Sequence, residues 1–599
     1  MMIGFEVKTL RRRGLVMFGR FALVVTAIAL PVFVLASQSE PLPPIEEWLG
    51  QDTLVVLKVE EPKAVLDVLL DPAWHEDLKE IPEIRGLLES PQFNQFVGIV
   101  RYIEMRLATD WESALRTLAG DEVTIALGPK GRAMIIVDCD DAGLLNKLHQ
   151  ILLEHARDEA RRRGDPDRVA SKVYRGVTGW TFSGGEEVHA LIGRRLVVSN
   201  NGDWVKELVD RRADKSADCL AKAKWFQAAR QATSEASVAT MCVNLAQIKE
   251  LPRPAKLLRD PENPLGVLLA AELPEAITSA SWLAVGLTVE GRTITVQVRT
   301  DGRLPEPDHF ASFALGGDAR GALPNLQVPG RLAAFSLSRD LAKFYRGKDE
   351  LFPDRTSGLI FFENMMGIFF TGRHFSEEVL PHLSSEIRLV VAQQTYDPEV
   401  GTPTIQIPAF ALVFRMRHPE KFAVIMEEAW QKALGLINFT RGQQAQPGLL
   451  LDRAEHAGVR YTVAAFSAAD VEDRQNLDVR FNFSPTLVCC GAYLIMSSTE
   501  ALARQLIDAV REESQKDVEP IQGVHTIVEM DGEGLHQILQ ANRESLIRQN
   551  MVEKGHSRDQ AEAEVGLLLA LISLFKGATL ELGAQDGSPI AEMKIALSP

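Results

Sequence analysis

The sequence predicts an α+β protein built from two tandem related modules, each a largely antiparallel sheet packed against helices, behind an N-terminal signal segment. Three observations predict it. Strand-like segments occur in hairpin-like pairs with helical stretches between them, which suits an antiparallel sheet covered by helices better than a regular β-α alternation. The same series of segments occurs twice in the same order. A proline- and glycine-rich stretch, Gly302 to Gly330, separates the two series at mid-chain.

The chain opens with a basic region containing Lys8 and Arg11 to Arg13, and Arg20 then precedes an apolar run from Phe21 to Ala36. Cations held before a short apolar segment are what export machinery reads. Sixteen helical residues reach about 24 Å, short of the roughly 30 Å hydrocarbon core, and Pro31 interrupts them. Residues 1–36 therefore read as a signal peptide cut after Ala36, or as an anchor using residues 15–36. Either way the remainder lies outside the cytoplasm, in the periplasm or cell envelope. Residues 37–50 form a polar, proline-rich spacer.

Module A spans residues 51–301, residues 302–330 are the linker, and module B spans residues 331–599. Each module opens on a strand, Thr53–Val59 and Arg331–Leu337. Glu122–Gly128 then matches Glu386–Ala392. Ala133–Val137 with the helix Ala142–Ala156 matches Phe410–Phe414 with the helix Pro419–Leu434. Tyr174–Trp180 answers His456–Tyr461. Gly193–Ser199 and Gly491–Ser497 both lead into capped helices, Trp204–Arg212 and Glu500–Arg511. Ala239–Leu245 answers Thr526–Asp531, and each module closes on a glycine-turn hairpin, at Glu290-Gly291 and Asp586-Gly587. Eight correspondences in one order argue for a duplicated module.

Several of these segments, GDEVTIALG (120–128), the leucine-rich strand-helix after it, Tyr174-Arg-Gly-Val177 and GRRLVVSN (193–200), resemble bacterial exported proteins of the family called domain of unknown function 3352. The resemblance covers Thr53–Arg299 and, more weakly, Arg331–Leu597. It implies an exported, envelope-associated α+β protein and carries over no catalytic residue.

The net charge of the whole chain is −16; the leader holds five cations against Glu6, which leaves −20 without it. Such an ectodomain is poorly suited to nucleic acid, whose binding rests on phosphate neutralisation. Cys139, Cys219, Cys242, Cys489 and Cys490 fit no zinc or redox spacing and read as small buried side chains. Cys219 with Cys242 is the candidate disulfide, and Cys489 and Cys490 should face opposite sides of a strand.

No catalytic motif is found. Gly128-Pro-Lys-Gly-Arg132 lies between two strands and reads as a hairpin turn, not a phosphate cradle. His374 and His382 flank Glu377 and Glu378, but Pro381 breaks any helix that would bring them onto one face as metal ligands. His149 and His155 read as solvent-facing or half-buried. Asp138, Asp140 and Asp141 end a strand, where calcium or active-site acids are conceivable, but the cluster reads as helix capping because the second module has Arg415, Arg417 and His418 there. Arg161 to Arg163 complement a helix dipole, within a run (Arg157–Arg168) that is otherwise a candidate lipid or glycan patch. Residues 359–370, LIFFENMMGIFF, read most simply as core, with a partner or lipid surface as the alternative.

No cofactor or metal site is expected, and the sequence identifies no catalytic residue. The function expected is that of a non-enzymatic envelope protein binding or scaffolding another envelope component or a membrane surface. The alternatives are an extracytoplasmic hydrolase with a site built from distant loops, or a carrier of an apolar ligand.

Overall fold

The computed structural model describes residues 42–70, 85, 91–181, 187–215, 217–250, 264–315, 320–352, 356–469, 477–516 and 518–598. The leader and the first residues of the spacer lie outside the described residues. The fold is α+β, and the chain divides into two compact units: residues 1–248 with 281–289, and residues 249–280 with 290–599.

In unit 1 all pairings are antiparallel. The strands are β1 (Val55–Val59), β2 (Glu122–Leu127), β3 (Ala133–Asp138), β4 (Ala170–Tyr174), β5 (Val177–Thr181), β6 (Val188–Ile192), β7 (Arg195–Ser199), β8 (Ala239–Asn244) and β9 (Trp282–Glu290). Their order is β4-β5-β6-β7-β3-β2-β1-β8-β9. Alternate residues feed the two faces, as a pleated strand requires. Met134, Ile136 and Val197 pack with Trp204, Val205 and Leu208 of one helix. Leu196 and Cys139 pack instead with Leu144, Leu145 and Leu148 of another. These helices are α4 (Ala142–Arg162) and α5 (Gly202–Asp214); α1 (Pro62–Leu69), α2 (Pro91–Leu107) and α3 (Trp111–Leu118) fall between β1 and β2. Ile103 and Leu107 of α2 and Leu118 of α3 join the α4 side.

Unit 2 holds β10 (Thr293–Thr300), β11 (Gly321–Ala322), β12 (Arg331–Ser338), β13 (Leu383–Ala392), β14 (Ala409–Met416), β15 (Leu449–His456), β16 (Val459–Phe466), β17 (Thr486–Cys490), β18 (Tyr493–Ser497), β19 (Ile521–Gln522), β20 (Val524–Asp531), β21 (Phe575–Gln585) and β22 (Ser588–Leu597). Its main order is β15-β16-β17-β18-β14-β13-β12-β20-β21-β22-β10. From β15 to β21 this is the pairing order of unit 1 from β4 to β9, strand for strand. The helices follow suit. With α6 (Pro264–Ala270), α7 (Leu273–Ser279), α8 (Leu341–Arg346) and α9 (Thr356–Phe369) placed earlier in the chain, α10 (Pro419–Gln443) and α11 (Glu500–Lys516) occupy the positions of α4 and α5. Leu502, Leu506 and Val510 of α11 pack under Val390, Val413 and Ile495. Phe422 and Met426 of α10 pack against Leu487 and Leu494. Three further helices, α12 (Gly532–Ala541), α13 (Arg543–Lys554) and α14 (Arg558–Ser573), lie between β20 and β21.

The boundary of the units differs from the one expected at residues 301 and 331. β10 pairs along its length with β22, so residues from 290 onward belong with unit 2. Parts of the stretch 302–330 are buried, so it is not a solvated linker throughout. Phe313 and Ala314 are fully buried, the backbone N–H groups of Ala314 and Leu315 donate to buried Glu272, and β11 pairs with β19. Arg339, also fully buried, ties the same region together by donating to the carbonyls of Leu268, Leu269 and His525 and to the Thr526 hydroxyl. Burial lowers its pKa to about 10, with Glu272 opposing the fall. The donors of its rigid fork let one cation satisfy several buried oxygens.

A second difference concerns residues 359–370. They form most of α9, which packs through Met366, Phe369 and Phe370 but leaves Phe361 70% and Ile368 68% exposed. A helix apolar on every side has more such surface than one neighbour covers.

Candidate functional site

A concave site with apolar walls lies in unit 1, between the edge strands β4–β6 and helix α5. Two local sequence features build it. Arg175 (φ 45°) and Gly176 (φ 80°) form the two-residue turn that folds β4 back onto β5, because that turn needs both residues left-handed. Asn201 then accepts a hydrogen bond from the Trp204 N–H at 2.9 Å, which starts α5 directly after β7 and sends it across the sheet.

The space enclosed is about 550 Å³, within the range of small-molecule sites. Val177, Val188, Ala190, Val205 and Val209 supply apolar wall, and Gly179 leaves room where a larger residue would project. A Cβ at Gly179 would meet the nearest atom, Val188 Cγ1, at an ordinary 3.5 Å. Lys172, Asp203 and Lys206 stand among the polar lining residues, and Asp203 pairs with Lys206 at 2.7 Å. The Tyr174 hydroxyl donates to Asp210 at 3.0 Å, which raises the phenol pKa, and Arg175 pairs with the same carboxylate at 2.9 Å. These contacts hold α5 to the hairpin.

Behind the wall lies a feature not foreseen from the sequence. Trp180 stacks on His189 with ring centroids 5.9 Å apart and meets the edge of His149 at 4.6 Å. The two imidazole Nε2 atoms are 3.0 Å apart. His149 is only 5% exposed, so the expectation that it is solvent-facing or half-buried is corrected. It lies on the α4 stripe with Leu145, Leu148 and Leu152, and that i, i+3, i+4 spacing was the available signal. Burial lowers the pKa of His149 to about 4, with Arg157 adding to the effect, and that of His189 to about 3. Both rings are neutral at pH 7, and one donates to the other.

The other singled-out residues have structural partners. Asp138 is gripped by Arg195, with Nε–Oδ1 at 2.6 Å and Nη2–Oδ2 at 2.5 Å. Asp141 caps α4 by accepting from the N–H groups of Gly143 and Leu144. Asp140 pairs with Lys63 at 2.8 Å and lies beside Asp121, which is held by Arg194. Burial and the neighbouring Asp121 raise the Asp140 pKa. For Asp121, burial is outweighed by hydrogen bonds from Arg194 and Asp140, and its pKa falls. Each carboxylate thus has a cation or a backbone cap. Arg161 and Arg163, at the end of α4, pair with Asp158 and Glu159, both at 2.6 Å. His382 packs on His418 and Phe422. Residues 128–132 join β2 to β3 as a hairpin turn. All five cysteines are free; four are buried, and burial pushes the thiols of Cys139 and Cys242 up to about 12. Among the described residues no group of three metal-ligating side chains converges, and no helix is long and apolar enough to cross a membrane.

Unit 2 has a cleft of about 480 Å³ lined by Arg331, Glu529, Asp531, Lys576 and Lys594 among others. Arg331 and Glu529 of that lining pair with each other. The unit 1 cleft is the better candidate on wall chemistry.

No family model matches the chain, and no curated protein matches it. Solved structures of TP0453 in three crystal forms match with TM-scores of 0.22, 0.21 and 0.22 at 10, 11 and 10% identity. The match covers 43–45% of this chain and 79–84% of theirs. A likeness at that level carries no argument about what this chain does.

Proposed function

We propose that the protein is an exported, non-enzymatic binding protein made of two copies of one module, and that the cleft between β4–β6 and α5 holds an apolar ligand. The observation that carries this reading is the wall of valines and alanine around about 550 Å³. The only carboxylate in that lining belongs to Asp203, which is already paired with Lys206. A hydrolytic reading needs a nucleophile and base, or two acids, facing a substrate space. The leader sequence supports export, and the matching strand order of the two units supports duplication.

Binding of the uncharged fluorophore 1-N-phenylnaphthylamine to the full chain tests the reading. Saturable binding is expected for the native protein. Gly179→Leu, which fills the cleft from a strand position without forcing a left-handed backbone, should weaken it by roughly tenfold or more. Undiminished binding by a folded Gly179→Leu protein would place the apolar site elsewhere.

A further inference from the structure

The sheet of unit 2 has an apolar face that continues from strand to strand. Register partners project their side chains on the same side of a sheet. Val296, Met593, Leu580, Val528, Phe335 and Leu389 are successive partners from β10 through β22, β21, β20 and β12 to β13. Leu412 of β14 continues the row. The row two residues along the strands, from Ile294 of β10 to Phe410 of β14, likewise holds no charged or polar side chain. No side chain in either row is buried, and Met530, Phe410 and Leu412 are 39, 44 and 37% exposed. The opposite face at the β10 end is polar: Thr295, Lys594 and Thr579 form one row, and Gln297, Glu592 and Glu581 the next. A sheet with one polar and one apolar face turns the apolar one toward a covering layer.

Chemistry and size select what can cover it. From β22 to β14 every strand is paired on both sides, so the backbone is engaged in the ladders and the face offers a peptide no hydrogen bond. Seven strands about 4.8 Å apart make it about 29 Å long, and two rows about 7 Å apart give an area on the order of 300 Å². A stable protein contact buries roughly 800 Å² on each partner, so a second copy of the chain fits poorly. One lipid tail spans half of the roughly 30 Å hydrocarbon core, so the face has the length of two tails. We propose that it binds both tails of a diacyl phospholipid, whose headgroup stays in water beyond the rows. The inference concerns unit 2 and is independent of the cleft in unit 1.

Photo-crosslinking of the full chain tests it, with p-benzoylphenylalanine placed at Met530 and the protein irradiated after incubation with phosphatidylethanolamine vesicles. Mass spectrometry should find a protein–phospholipid adduct, and the same probe at Glu581, on the polar face, should give at least roughly tenfold less. In a second measurement, native protein separated from the vesicles by gel filtration should carry phospholipid away with it. Met530→Glu with Phe410→Glu should cut that load by at least roughly tenfold, whereas Met530→Leu with Phe410→Leu should keep it. The crosslink is read on a chain without added charge, so it holds even where the double-glutamate protein folds poorly. No adduct at Met530, or an equal one at Glu581, overturns the proposal. An adduct that forms on the vesicles while the protein leaves them free of lipid assigns the face to docking on a bilayer and equally overturns it. So does a native dimer that the double-glutamate change dissociates with its lipid load unaltered.

Discussion

Arg195→Ala is expected to lower the stability of unit 1 by about 3–5 kcal/mol, the cost of stranding one partner of a buried ion pair. Arg195 is 1% exposed and opens β7 directly opposite Asp138 at the end of β3. Its fork takes both carboxylate oxygens, and its Nη2 also donates to the Pro43 carbonyl at 3.0 Å. The guanidinium lies 4.4 Å from the ring centre of Trp48, which is buried in the core beside α5. One side chain thus joins two central strands to the segment that enters the fold. Denaturant titration, read at the first unfolding transition because two units need not unfold together, measures the loss. Asp138→Leu with Arg195→Met should recover most of it, since an apolar pair leaves no charge unmatched. A loss below about 1 kcal/mol for Arg195→Ala would show that the pair is solvated in the folded protein.

The second large effect is acid sensitivity. An ordinary histidine titrates near pH 6.5, whereas burial holds His149 and His189 at about 4 and about 3. The unfolded chain therefore binds protons that the folded chain refuses. Stability is complete above pH 6.5 and falls as pH drops toward the folded values, by about 1.4 kcal/mol per pH unit for each ring. His149→Phe with His189→Leu removes both rings. The melting temperature of unit 1 should then depend much less on pH between 6 and 4 than in the native protein. An unchanged slope would mean that other groups govern the acid transition. His525 of unit 2, also held at about 3 by burial and by Arg339 beside it, is left in place and titrates with its own unit.

These features differ in how far the sequence disclosed them. The strands were legible because hairpin neighbours announce themselves locally: Tyr174-Arg-Gly-Val177 folds back within four residues, and so does Ile192-Gly-Arg-Arg195. Recurrence of the same series reinforced the segments that became β1–β3, β5 and β7–β9, whereas β4, β6 and β15 were not singled out in the sequence. The pairing of β10 with β22 joins residues about 300 positions apart, and nothing local in Thr293–Thr300 specifies that partner. For the same reason the stretch 302–330 misread as a linker: its prolines are conspicuous, while the burial of Phe313 depends on distant residues.

The cleft was less legible than the fold. Gly179 and Ala190 are small residues on paired strands, a pattern that leaves space, but small residues occur in many strands without a cavity. The His149–His189 contact unites residues from a helix and a strand that only the folded sheet brings together. The exposed face of α9 shows the opposite failure. Its apolar composition was plain, but whether a neighbour covers it is decided by tertiary packing.

The most direct test of the apolar cleft is a crystal structure of the full chain soaked with a bromine-tagged alkane. The account expects an anomalous bromine signal between Val205 of α5 and the Val177–Ala190 wall, absent in crystals of Gly179→Leu. Bromine ordered only at other sites, with the native cleft showing none, would contradict it.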